Sequence, residues 1–148
     1  MNPEADPIRV ITRSTEETEG IGARLAALSR PGMVWGLSGE LGAGKTALVR
    51  GFVRGLGSPR RVQSPTYSLI HQYTGGPCIV HHLDLYRLAN GADIREAGLD
   101  EYLVNPVGIS LVEWIERWNP DSQDSIHHIR IRCLDENTRE ILHDDPRH

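Results

Sequence analysis

Lysine is almost missing from this chain. Lys45 stands alone among sixteen basic residues, and the other fifteen are arginine. That scarcity excludes a guanine-specific switch, because an Asn-Lys-x-Asp type base reader needs a lysine and no second one exists. Cysteine is nearly as scarce. Cys78 and Cys133 have no metal-type spacing, which argues against a disulfide framework or a zinc ribbon and leaves two reduced thiols in a cytoplasmic protein. No apolar run approaches the roughly twenty residues of a membrane span, and the opening Met1-Asn2-Pro3-Glu4 is too polar for a signal peptide. A basic surplus is missing too. The formal net charge is −4 and the isoelectric point about 5.9, which argues against nucleic-acid capture by surface charge. Repeats and low-complexity tracts are absent, and 148 residues leave room for one core.

The one lysine closes the run Gly39-Glu40-Leu41-Gly42-Ala43-Gly44-Lys45-Thr46, which fits the phosphate-binding loop G-x-x-x-x-G-K-[ST] at every fixed position. A chain that otherwise uses arginine keeps lysine here because a compact ammonium on a thin stem reaches between phosphates better than a planar fork. The glycines let backbone N–H groups converge on an anion, and the following helix adds its positive end. Thr46 supplies a hydroxyl placed for Mg²⁺. Met33-Val34-Trp35-Gly36-Leu37 reads as the buried strand before the loop.

Strand and helix signals alternate along the chain. Residues 1–7 read as a disordered start, 8–143 as a single phosphate-loop domain and 144–148 as a tail. Residues 8–12 form a first strand. Ser14-Thr15-Glu16-Glu17 is a capping box opening a helix with Ile21, Leu25 and Leu28 on its apolar face. The helix after Lys45 buries Leu48, Val49, Phe52, Val53 and Leu56, and Gly57-Ser58-Pro59 stops it. Further strands fall at residues 67–73, 78–83 and 108–112, with a glycine-broken helix at 94–103. A polar loop spans 119–125, and a hairpin at 126–133 and 139–143 closes the fold. The expected architecture is an α/β sandwich with a mixed central sheet, parallel around the nucleotide site and antiparallel at the edges.

Two acids end apolar strands: Asp84 after Ile79-Val80-His81-His82-Leu83, and Glu113 after Ile109-Ser110-Leu111-Val112. Strand C-termini in such sheets point into the ligand crevice, where phosphoryl transfer needs a carboxylate near Mg²⁺ and a group that places the nucleophile.

Taken with the loop, Ser64-Pro65-Thr66-Tyr67, His82-Leu83-Asp84-Leu85-Tyr86-Arg87-Leu88 and Leu111-Val112-Glu113-Trp114 closely resemble the bacterial TsaE (YjeE) ATPases, over residues 8–143. Members of that family are required for threonylcarbamoyladenosine at position 37 of tRNAs that read ANN codons. The resemblance implies that Lys45 and the amides of Gly39, Glu40, Leu41, Gly42, Ala43 and Gly44 hold the phosphates of ATP or ADP. It implies that Thr46 and Glu113 hold Mg²⁺ and that Asp84 is needed for hydrolysis. Residues 64–67 become a switch sensing the γ-phosphate, with Thr66 its contact. Thr15 and Arg139 match positions that touch the nucleotide away from the phosphates. The implied partners are the threonylcarbamoyl-transfer subunits of the TsaB and TsaD type, with tRNA reached indirectly through them and no membrane involved. ATP hydrolysis, slow in the chain alone, then resets that complex. Past Trp114 the chain departs from the family pattern, as Ile115-Glu116-Arg117-Trp118 continues a helical pattern.

Other features have plainer readings. His81-His82 and His127-His128 are adjacent in strands, so each pair faces two ways and cannot chelate one metal. His82 is expected to hydrogen-bond and orient the motif of Asp84. Arg60 and Arg61 face a partner or RNA phosphates, or sit solvated at a helix end. Trp114 and Trp118, four apart, pack one helix face. The rival function is a small-molecule kinase that reuses the loop, with Asp84 as base and Arg87 as clamp; against it, no lid insert is visible.

Overall fold

The computed structural model describes residues 6–40, 42–59, 61–62, 69–118 and 125–147. Its strands are β1 (Ile8–Thr12), β2 (Val34–Ser38), β3 (Ile70–Tyr73), β4 (Val80–Asp84), β5 (Ile109–Glu113), β6 (His127–Cys133) and β7 (Arg139–His143). They form one seven-stranded sheet in the order β1-β7-β6-β2-β5-β4-β3. The four inner strands β6, β2, β5 and β4 run parallel, whereas β1, β7 and β3 join antiparallel. The mixed sheet expected from the sequence is therefore present. Parallel strands covered on both faces read as near-continuous apolar runs, and β2 and β5 do.

Helices α1 (Thr15–Ala27) and α2 (Lys45–Gly55) cover one face, over a core that includes Leu25, Trp35, Phe52, Leu111 and Ile131. The short helix α3 (Gly91–Glu96) and two 3-10 turns, Asp100–Tyr102 and Ile115–Arg117, cover the other face over Leu83, Ile94, Val112 and Ile126. Chain order then fixes the site. The chain leaves β2 through α2, visits the far edge as β3, returns as β4, and inserts β5 between β4 and β2. The C-terminal ends of β2, β5 and β4 consequently lie side by side.

Helices α1 and α2 approach closely through glycine. A Cβ on Gly51 would run into the Glu19 carbonyl, and one on Gly22 into that of Leu48. Glycine reads as a weak helix former in sequence, so this contact was not foreseen. Around it, Glu19 pairs with Arg50 at 2.9 Å and Arg54 at 3.2 Å.

Several local expectations shift. Ser14 Oγ accepts the Glu17 N–H at 3.1 Å as a cap should, but Glu17 Oε1 reaches the N–H of Arg13 rather than that of Ser14. Leu28 is 37% exposed and only caps α1, whose buried stripe is Ile21, Leu25 and Ala26. α3 begins a turn before Ile94, because Asn90 Oδ1 caps the Asp93 N–H at 3.0 Å, and the chain breaks at Gly98 with φ 76°. Residues 64–67 and most of the 119–125 loop lie outside the described residues, as do Leu41 and Arg60.

Candidate functional site

The phosphate-type loop sits where its sequence placed it, between Ser38 at the end of β2 and Lys45 at the start of α2. Two glycines are required by geometry. Gly39 has φ 150° and a Cβ there would strike the Ile131 carbonyl; Gly44 has φ 107° and serves as the helix N-cap. Among the described residues no side chain caps α2, so its first-turn N–H groups face the loop with their positive end uncompensated. Thr46 lies in that first turn. Gly42 and Ala43 belong to the same loop, and the Ala43 N–H closes it onto the Glu40 carbonyl at 3.1 Å.

Lys45 Nζ donates to the Gly39 carbonyl at 2.8 Å and lies 3.5 Å from Glu113 Oε1. The other carboxylate oxygen, Oε2, is 2.8 Å from His82 Nε2. Glu113 is only 7% exposed. Burial alone pushes its carboxyl up, yet the His82 hydrogen bond and the nearby Lys45 ammonium outweigh this and hold it below its ordinary value. His82 is fully buried, and its Nδ1 has no partner among the described residues. An Nε2–H tautomer donating to Glu113 leaves only a lone pair orphaned, the cheaper arrangement.

Asp84 is the registered neighbour of Glu113 across the parallel pair β4–β5. Its Oδ1 accepts the Tyr86 N–H at 3.0 Å. Partial burial raises its carboxyl above the usual range, the Tyr86 bond opposes this, and the Glu113 charge raises it further. The two acids are thus driven apart, Glu113 below its ordinary value and Asp84 above it. His82 had been expected to orient the Asp84 motif; its Nε2 bonds the Glu113 carboxylate instead. Its partner could not be read from sequence, since the two are thirty-one residues apart.

Thr15 and Arg139 line a cleft of ≈ 90 Å³ with Ser14, Thr18, Gly44, Ala47, Glu136 and Asn137. Gly44 belongs to both loop and cleft, so the two are continuous. Arg139 Nη1 donates to the carbonyls of Asp135 at 2.9 Å, Thr138 at 3.2 Å and Glu136 at 3.4 Å, fixing the β6–β7 turn that forms one wall. Glu136 and Asn137 were missed because a polar turn carries no periodic signal.

The paired-tryptophan expectation is corrected. Trp114 has φ 60°, so no helix continues from β5, and Ile115–Arg117 is a single 3-10 turn. Trp114 packs on Tyr86, ring centroids 5.0 Å apart, while Trp118 is buried beneath Arg95. His81 and His82 do face opposite ways: His81 Nε2 lies 2.6 Å from the Val107 carbonyl oxygen, away from Glu113. Thr66 lies outside the described residues.

Comparison with known proteins places this arrangement. The family model described as threonylcarbamoyl adenosine biosynthesis protein TsaE matches residues 12–141. The chain is 38% identical over 130 residues to the tRNA threonylcarbamoyladenosine biosynthesis protein TsaE of Bacillus subtilis, covering 88% of this chain and 80% of that protein. It is 35% identical over 134 residues to the protein of the same name from Treponema pallidum, covering 90% and 98%. The crystal structure of Bacillus subtilis YdiB superposes with a TM-score of 0.74 at 33% identity, over 93% of this chain and 84% of that one.

Proposed function

The chain belongs to the TsaE family, and from that membership we propose that it is a Mg²⁺-dependent ATPase serving tRNA threonylcarbamoyladenosine biosynthesis. It binds the threonylcarbamoyl-transfer subunits of the TsaB and TsaD type in the cytoplasm and resets their complex by hydrolysing ATP, reaching tRNA only through them. Among the described residues, no helix is long and apolar enough to cross a membrane.

The observation that carries this reading is the convergence of Lys45, Glu113 and Asp84 on the uncapped start of α2. In the proposed role, the loop amides and Lys45 hold the phosphates, and Lys45 Nζ exchanges the Gly39 carbonyl for phosphate oxygens. Thr46 and Glu113 hold Mg²⁺. The donor set fits the ion, since Glu113 offers a buried anionic oxygen set by His82. Mg²⁺, when bound, neutralises charge on the phosphate oxygens. Asp84 places and deprotonates the attacking water. Thr15 and Arg139 contact the nucleoside end, and Thr66 senses the γ-phosphate. Adenine is preferred to guanine because no guanine reader exists in a chain with one lysine.

Two measurements test this. Incubation with ATP·Mg²⁺ and a metabolite panel should release free phosphate and no phosphorylated metabolite; a phosphorylated product would make it a kinase. A pull-down from native cytoplasm with a non-hydrolysable ATP analogue should recover the tRNA-modifying subunits. Failure to recover them under any nucleotide would refute the partnership.

A further inference from the structure

The segments that follow the two acids are joined on the face away from α2. Tyr86, two residues past Asp84, packs on Trp114, the residue after Glu113. The Arg117 guanidinium lies over the Trp114 ring at 5.3 Å, and that of Arg95 over Trp118 at 4.9 Å. Beside these rings lies an open groove of ≈ 390 Å³ between the start of α3 and the 3-10 turn, lined by Asn90, Arg95, Glu116, Arg117 and Trp118 among others. Neither Arg95 nor Arg117 has an ion pair among the described residues, and Arg117 Nε is buried without an acceptor. A guanidinium without an ion pair is best complemented by a carboxylate, which takes two of its N–H groups at once.

We propose that this groove docks an acidic segment of a partner protein, whose carboxylates are received by Arg95 and Arg117; the identity of that partner rests on the function proposed above. Indole faces lie beneath both guanidiniums, and Arg95 is exposed while Arg117 is half-buried, so each can offer terminal N–H groups to a carboxylate. Nucleic acid is the poorer occupant. Its affinity grows with the number of phosphates neutralised, and the groove offers two cations beside Glu116 on a chain of net charge −4. The groove floor is the turn that leaves β5 just after Glu113, so an occupant there bears on the element that carries the proposed metal ligand.

The test uses the full chain titrated calorimetrically into the purified transfer subunits from the same source, with a non-hydrolysable ATP analogue present. Arg95→Glu, an exposed change on α3, should bind at least about tenfold more weakly with ATP affinity unchanged, and raised salt should narrow the gap. Arg95→Lys keeps the charge without the fork and should fall between. Arg117→Glu, once a melting curve shows it folded, should repeat the loss. Wild-type binding by both Glu variants overturns the groove and leaves the proposed function standing. No binding by the wild-type chain overturns that function and the groove with it. Direct binding of tRNA that Arg95→Glu abolishes would replace the acidic peptide with nucleic acid.

Discussion

His82 and Glu113 meet at 2.8 Å across two neighbouring parallel strands, ring nitrogen to carboxylate, with the histidine fully buried and the acid almost so. The histidine fixes one oxygen of the carboxylate while the other faces Lys45. In the proposed role, a metal ligand held this way would be oriented before any metal arrives, and partners of ligands matter nearly as much as the ligands.

His82→Ala should therefore weaken Mg²⁺-dependent nucleotide binding by roughly 10–100-fold. Binding measured with the metal chelated should change little. Equal losses with and without Mg²⁺ would show that His82 supports the loop and not the metal site.

Lys45→Ala should abolish tight binding of ADP and ATP while leaving the fold intact. The ammonium touches one loop carbonyl and one carboxylate that keeps its His82 partner. Calorimetry with both nucleotides checks the first half and far-UV circular dichroism the second. Unchanged affinity for both would make the loop decorative.

Asp84→Asn should bind ATP·Mg²⁺ near normally yet hydrolyse it at least about a hundredfold more slowly, the size of a general acid–base contribution. Asparagine can still accept the Tyr86 N–H, so a packing defect is not expected. Phosphate release under single-turnover conditions reads the rate. Loss of ATP·Mg²⁺ binding instead would put Asp84 beside Glu113 on the metal.

The same two carboxyls should act oppositely on stability in the ligand-free protein. Glu113 is held below its ordinary value, so its contribution is present above the unfolded value and lost as pH falls through the folded one. Asp84 is raised, so its contribution is present in acid and lost as pH rises through its elevated folded value. Asp84→Asn should accordingly raise the melting temperature at neutral pH, with the gain fading in acid. Glu113→Gln should flatten the acid side of the profile. Melting curves across pH for both variants decide it, and a neutral-pH loss of stability in Asp84→Asn would contradict the assignment.

Gly51→Ala should destabilise the fold by about 1–3 kcal/mol, as overpacking of a well-filled contact does. Alanine is the better helix former, so propensity alone predicts the opposite sign. Urea unfolding separates the two. The clash with the Glu19 backbone should win, because two helix backbones cannot both yield.

The sequence by itself determined the local chemistry. Six loop residues, a lone lysine and a threonine form a contiguous motif, and contiguous backbone is what makes an anion nest. Asp84 and Glu113 were legible because an acid closing an apolar strand has one place to point. The sheet's parallel centre and antiparallel edges followed from apolar runs inside and alternating hairpin strands outside. What the tertiary structure alone decided was neighbourhood. The insertion of β5 between β2 and β4 puts Glu113 against both Lys45 and His82, and no local pattern encodes the order of strands far apart in sequence. The same holds for Trp114: its residues read as helix, but φ 60° turns the chain so that its ring meets Tyr86 and the turn shapes a groove. Helical periodicity counts side chains at fixed angles, and one left-handed residue resets the count. Strand order and that single dihedral are settled by packing across the whole sheet, which is why they appear only in the fold.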